Sequence, residues 1–380
     1  MNWILGRVKG DIWIWMIVFI LSVFSVLAVY SSTGALAYQR YDGNTTVLLV
    51  KHLLMVVAGL FFMYLAHRIN YRYYSVIAKL MLFLAIPLLL YTLKFGANIN
   101  EAKRWILIPV IRQTFQTSDW AKLALIMFLA RELTRRQERI KDFKHGFLPI
   151  FGAVTVIFVL IAPANLSTAL MLFGTSVLIL LMGRVSARQI GIVCLAGAVL
   201  TAGIVFLGPR RETYKSRIDA YLHPERADPD KAYQANHAQM AIATGGFFGK
   251  GPGHSRERNY LPQAYSDFIF AIIIEEYGLA AGLLVIFLYL FLLFRCVRII
   301  TRSPRAFGAL LATGLSFSLV IQAFANMAVA THLLPVTGIP LPLVSMGGTS
   351  ILFTSFAFGI ILSVSRDIDE TKKGGQPEAV

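Results

Sequence analysis

Long uninterrupted apolar blocks dominate this chain, and short polar or basic segments divide them. A helix that crosses a bilayer needs about 20 apolar residues, fewer where neighbouring helices help. On that measure, spans are predicted near 12–30, 47–66, 75–93, 118–130, 148–163, 167–183, 188–208, 267–294, 306–330 and 343–364. The pattern is that of an all-α polytopic membrane protein with about ten transmembrane helices. Pro163 and the polar Asn165, Ser167 and Thr168 divide the block 148–183 into two helices. The segment 209–266 is too polar to span and too long for a mere connector, and loops of that kind are usually functional or disordered. Within it, Tyr233 to Thr244 reads as a short amphipathic helix stopped by Gly245 and Gly246 and lying on the bilayer surface. The chain is thus one membrane domain over 1–380, with 209–266 as its long loop and 366–380 as a short tail.

Composition agrees with the pattern. Apolar residues make up 57% of the 380 and charged residues 15%, where a soluble domain carries roughly 25% charge. The mean hydropathy is +0.65. So much apolar surface does not fit one water-soluble core. The two cysteines, Cys194 and Cys296, lie in or beside apolar blocks and offer no disulfide framework. The stretch Ile12 to Tyr30 is long enough to span, and no small-residue cleavage site follows it, so it reads as a retained helix rather than a leader.

The formal charge of +16 points to an anionic partner. Its basic residues sit in loops between spans, which argues against nucleic acid and for anionic lipid or lipid-linked phosphate. Their placement also orients the chain. Arg7, Lys9, Arg68, Arg72, Arg131, Arg135, Arg136, Arg139, Lys141, Lys144, Arg184, Arg188, Arg295, Arg298, Arg302, Arg305, Arg366, Lys372 and Lys373 fall on one side. Only Arg40, Lys94, Lys103, Arg104 and Arg112 fall in the short loops of the other. Both termini and the 131–147 loop are therefore expected in the cytoplasm, and 209–266 outside.

Four constellations could carry chemistry, all expected near the outer face. Asn100 to Ile106 places Lys103 and Arg104 beside Trp105, either a cation site at headgroup depth or an ordinary aromatic belt with snorkelling bases. In Gln116 to Lys122, Asp119 and Lys122 are three residues apart on one helix face, and an ion pair entering a span marks a functional cavity by default. Ser118 as a helix cap is the plainer reading of that stretch.

Third, Gly245, Gly246, Gly249, Gly251 and Gly253 surround Lys250, with Arg256 and Arg258 following, a flexible basic loop suited to phosphate oxygens. Plain turns use the same glycines. Asp267 follows where the chain re-enters the membrane, so partial desolvation raises its pKa towards general-base work. A helix-capping role is the alternative. Glu275 lies eight residues on, roughly 12 Å deeper. Adjacent glutamates, Glu275 and Glu276, are hard to explain as packing inside a span. Fourth, the proline-broken run Pro335 to Pro342 and Ser345 to Ser350 cannot be a regular helix, and such backbone belongs where it lines a cavity. Asn326 in the preceding span supplies it with a polar partner. No metal-ligand cluster, Walker loop, dinucleotide fingerprint or serine triad is present, which identifies no cofactor and leaves a divalent-cation requirement open.

All four of these stretches, in GGFFGKGPGHSRERNYLPQAYSDFIFAIIIEEYG, PVTGIPLPLVSMGGTS and KRWI with QTSDWAKL, resemble the SEDS family of shape, elongation, division and sporulation proteins, that is, RodA and FtsW. The resemblance covers residues 10–366, and the GHSRERNYLP wording is closer to the division type. It implies a peptidoglycan glycosyltransferase that polymerises lipid II in the bacterial inner membrane, acting at the outer face. It implies a class B penicillin-binding protein as partner, with other divisome or elongasome membrane proteins. The family's essential loop aspartate falls on Asp267, and its basic and membrane-entry positions fall on Arg104, Trp105, Asp119 and Lys122. The chain departs from the pattern at Asp119, where glutamate is usual, at Asn165, where aspartate is common, and at Met346, where tyrosine is common. Against the enzyme stands a second reading, a lipid II flippase using the same polar groups. A flippase needs polar groups through the full depth, whereas these crowd the outer half.

Overall fold

The computed structural model describes residues 9–99, 102–108, 113–223 and 229–374. Asn100, Glu101, Arg112, Arg226 and the end of the tail lie outside the described residues. Ten long helices stand where the apolar blocks predict spans: α1 Ile12–Ser32, α3 Thr45–Arg68, α4 Arg72–Phe95, α5 Thr117–Arg135, α6 Leu148–Ile161, α7 Leu166–Met182, α8 Ala187–Leu207, α11 Ile269–Arg302, α12 Ala306–Ala330 and α13 Thr349–Gly374. Among the described residues, eight spans are long and apolar enough to cross a membrane by themselves, α6 together with the π-helical turn Phe143–Phe147 before it. The other two are the 17-residue α7 and the more polar α5. The chain is an all-α, multi-span membrane protein.

The helices are sorted by depth in the bundle. The most apolar stretches of α12 and α13 are each 78% buried, whereas that of α8 is 11% buried. A helix apolar all round yet little buried has its outer face in lipid. The predicted break in 148–183 falls at Ala162–Asn165, where the Asn165 side chain accepts from the Thr168 amide and caps α7.

Several boundaries differ from expectation for identifiable reasons. The last span starts at Thr349 rather than 343, because residues before it bond to the Asp267 turn, and it runs on to Gly374 into the expected tail. Gly278 (φ 82°, ψ 174°) breaks α11 into two arms inside what reads as one span. The stretch between α4 and α5 is not plain loop. It folds into antiparallel strands β1 Ala97–Ile99, β2 Ala102–Ile108 and β3 Gln113–Gln116, with Trp105 opposite Gln116. The long 209–266 segment holds two helices, α9 Arg211–Leu222 and α10 Pro229–Gly245. The second contains the expected Tyr233–Thr244 helix. It packs on α11 through the buried Ala238 and Ala241. A short helix α2, Gly34–Arg40, follows α1.

Candidate active site

Gly245 to Asp267 carries most of the predicted chemistry, and its first half is a clasp rather than a flexible loop. The Leu279 amide donates to Gly246 O at 2.9 Å, Lys250 N to Glu275 O at 2.9 Å and Gly251 N to Glu276 O at 2.9 Å. A Cβ at Gly249 would meet Glu276 O at 2.2 Å, and one at Gly278 would meet Phe247 O at 2.1 Å. Bare backbone thus packs on bare backbone, which only glycine allows. The amides of Gly249, Lys250 and Gly251 are thus consumed inside the protein.

The side chains of this segment follow the same logic. Lys250 Nζ pairs with Glu275 Oε1 at 2.7 Å, and Glu275 also accepts from the Arg256 amide at 3.0 Å and from the Ser255 hydroxyl. Glu276 accepts from the Ser31 hydroxyl and from Ser255 N at 3.3 Å, with Arg258 Nη1 3.9 Å away. Arg258 Nη1 also donates to Ser31 O at 3.0 Å. The two glutamates, fully buried, are therefore the sockets of the clasp. The structure does not bring Lys250, Arg258 or Glu275 to the cleft described next, and the Arg256 side chain is exposed.

That cleft, of about 590 Å³, opens where β2, α9, the Pro262–Asp267 turn and the irregular 336–348 strand of chain meet. Asp267 stands in its wall, 8% exposed. No side-chain capping bond starts α11, so Asp267 does not cap that helix. Its carboxylate accepts from Ser266 Oγ at 3.0 Å. A Cβ on Gly338 would lie 3.5 Å from Asp267 Oδ2 and 3.7 Å from Arg104 Nη1, so the carboxylate and a guanidinium face the same glycine. The turn is pinned from behind. Ser345 Oγ donates to Ser266 O at 2.6 Å, Met346 N to Tyr265 O at 2.9 Å, and Asn326 Nδ2 to Asp267 O at 2.9 Å. Asn326 is thus a support under the site rather than part of its lining.

Three arginines converge on the cleft. Arg104 Nε and Arg210 Nη1 donate to the same carbonyl, Ala164 O, at 2.8 and 3.0 Å. Arg217 Nη1 donates to Val336 O at 3.1 Å. Burial, then crowding by Arg210 and Arg217, draws Arg104 down to about 10, and it stays cationic at neutral pH. Burial pushes Asp267 up to about 6, against the pull of Ser266, Arg104 and Arg217. The result is a carboxylate that titrates near neutrality beside a concentrated positive field. Arg210 and Arg217 escaped the sequence reading. Their signal was the helical spacing of Arg210, Tyr214 and Arg217, hidden in a segment read for its glycines.

The remaining candidates have distinct places. Trp105 lines the cleft with Arg104. Lys103, its neighbour in the strand, is exposed and donates to Lys94 O at 3.1 Å. Asp119 and Lys122 lie 3.6 Å apart in a small polar chamber behind Gly338 and Pro340, where Lys122 Nζ donates to Gln322 Oε1 at 2.9 Å. Asn165 borders both the chamber and the cleft as a neutral cap. Among the described residues, no group of three or more His, Cys, Asp and Glu is arranged to hold a metal ion.

The family of cell cycle proteins that comprises FtsW, RodA and SpoVE matches residues 11–370. The chain belongs to this family. It is 33% identical over 365 residues to a probable peptidoglycan glycosyltransferase FtsW of Geobacter sp. (strain M18), covering 94% of this chain and 98% of that protein. It is 32% identical over 367 residues to the stage V sporulation protein E of Bacillus subtilis (strain 168), covering 95% and 98%. Among solved structures, a chain from a peptidoglycan synthase complex that coordinates polymerization and crosslinking superposes with a TM-score of 0.76. The two are 26% identical, with 94% of this chain and 98% of that one covered. The rod shape determining protein RodA of Thermus thermophilus shares the fold, with a TM-score of 0.66, 23% identity and coverage of 94% and 97%.

Proposed function

We propose that this SEDS-family chain is a peptidoglycan glycosyltransferase that polymerises lipid II, with Asp267 as its general base. One observation carries the reading: a carboxylate drawn up to about 6 faces Arg104 across Gly338 in a cleft of about 590 Å³. Glycan extension needs a base to take the proton from an acceptor 4-hydroxyl as its oxygen attacks the donor's anomeric carbon. It also needs cations to stabilise the departing lipid pyrophosphate. The attack comes from the face opposite the leaving group, so the anomeric centre inverts. Arg104, Arg210 and Arg217 have the charge, and Arg104 and Arg217 hold fixed positions through their backbone partners. A base with a pKa near 6 is ionised at neutral pH yet basic enough to accept a proton in the transition state.

The cleft opens at the end of the bundle that carries 209–266. In the orientation set by the basic loops, this is the outer face of the bacterial inner membrane, with both termini cytoplasmic. The described residues form a bundle of spanning helices, a small sheet and the helices of 209–266. A class B penicillin-binding protein as partner is supported by the chain's likeness to a member of a peptidoglycan synthase complex.

The deciding experiment is glycan synthesis from labelled lipid II by purified, folded Asp267→Asn protein. Asn keeps the shape but cannot take the proton, and loss of a positioned base typically costs about 10²–10⁴ in rate. Lipid II binding is expected to persist because the arginines are untouched. Near-normal polymerisation would remove Asp267 from catalysis.

A further inference from the structure

The second arm of α11, beyond the break at Gly278, carries another built surface towards its far end. Phe287, Phe291, Phe294, Arg298 and Arg302 recur at spacings of four, three, four and four, which keeps them on one helix face. The rings form a ladder. Phe287 and Phe291 stack with centroids 5.8 Å apart and planes at 6°, and Phe291 and Phe294 at 6.3 Å and 16°. Phe287 and Phe294 are more than half exposed, so the ladder looks out of the bundle into hydrocarbon. Trp13 of α1 meets Phe291 edge-on at 5.6 Å and forms a side wall.

Charge caps the ladder. The Arg298 guanidinium sits 5.8 Å above the Phe294 ring centroid, and Arg298 and Arg302 line a cavity of about 210 Å³ together with Trp13. Asp11, also on its wall, is neutralised by Arg295 through contacts of 2.9 and 2.5 Å. Asp369 lines the cavity too, which leaves two guanidiniums facing one unpaired carboxylate among the described residues. An apolar rail ending in paired guanidiniums matches an amphiphile with an acyl tail and a compact anionic head. A zwitterionic headgroup would bring an ammonium against the same cations.

We propose that this groove holds one anionic phospholipid, its acyl chain along Phe287, Phe291 and Phe294 and its phosphate at Arg298 and Arg302. The full-length chain, delipidated in detergent, is titrated with phosphatidylglycerol and separately with phosphatidylcholine, and bound lipid is counted by native mass spectrometry. Phosphatidylglycerol binds in preference. Each arginine at the headgroup contributes about fivefold, so Arg298→Gln with Arg302→Gln weakens its binding about 25-fold and leaves phosphatidylcholine unchanged. Arg298→Lys with Arg302→Lys keeps most of the binding. Arg188→Gln, an exposed arginine on α8, leaves it intact. Equal binding of the two lipids, an equal loss with Arg188→Gln, or retention by the double glutamine variant would each overturn the proposal. The last is the outcome expected if a second copy or a partner helix covers the ladder instead.

Discussion

Asn326 Nδ2 donates to the main-chain carbonyl of Asp267 at 2.9 Å and to that of Ile339 at 2.7 Å. One amide on α12 therefore ties the turn that carries the carboxylate to the strand of chain that carries Gly338. The Asp267 turn and the Gly338 backbone that face each other in the cleft are thus referenced to the same side chain. Asn326→Ala leaves two buried carbonyls without that donor, each costing about 1–3 kcal/mol if nothing replaces it. A shift of about 1 Å at the base can cost 10²-fold. The expected outcome is a fall in kcat of about 10–100-fold with KM for lipid II nearly unchanged, measured on protein whose thermal midpoint shows it folded. A change confined to KM would place Asn326 in binding instead.

The raised pKa of Asp267 should appear in the pH dependence of the reaction. If Asp267 acts as the proposed base, it works in its ionised form, so kcat should climb with pH through about 6 and level off above it. Arg104 holds that value down, so Arg104→Gln should move the acid limb to higher pH in addition to weakening binding. A limb that stays in place would separate the two groups electrostatically.

Stability should run the other way. The folded carboxyl holds its proton more tightly than the unfolded one at the ordinary 3.8, so its contribution is fully present below 3.8 and is lost as pH rises through about 6. Asp267→Asn removes that loss, and the variant should be more stable at pH 8 by up to about 3 kcal/mol. The gain should vanish near pH 4. Thermal unfolding at the two pH values measures it, and equal gains at both would refute the ionisation account.

The clasp makes a contrasting prediction for Lys250. A phosphate-binding lysine would change KM when removed, whereas a lysine bonded to the buried Glu275 would change stability. Breaking one partner of a buried pair costs about 3–5 kcal/mol, discounted here because Lys250 is partly exposed. Lys250→Met is expected to lower the thermal midpoint while the folded fraction keeps its KM. The paired change of Lys250→Met with Glu275→Gln should recover part of the loss, and a KM effect without destabilisation would return Lys250 to the substrate.

Orientation is tested with single cysteines in a Cys194→Ser, Cys296→Ala background. Lys215→Cys on α9 should react with an impermeant thiol reagent from outside, and Lys141→Cys should not. Both positions are exposed in the structure. The reverse pattern would put the cleft in the cytoplasm and end the polymerase reading.

The spans were legible because bilayer thickness imposes a length on apolar blocks that needs no tertiary knowledge. Asp267 stood out for a similarly local reason, a carboxylate at a membrane entry. Lys250 and Glu275 were legible as unusual but not as partners, since a loop lysine 25 residues before a buried glutamate carries no periodic signal. Arg210 and Arg217 were missed because only the fold of α9 turns them towards Ala164 and Val336. The small sheet was hidden because its seven-residue middle strand pairs short neighbours of three and four residues.

Gly249 and Gly278 bear on how this protein can change over generations. Each sits at positive φ, and each would drive a methyl group into the other's stretch of backbone. No second substitution at the partner position relieves the first, because what blocks it is main chain and not a side chain that could shrink. The two positions therefore form a mutational dead end. Diversification in this part of the molecule must proceed around that contact, in the exposed residues between Gly251 and Ser255 or in α9 and α10.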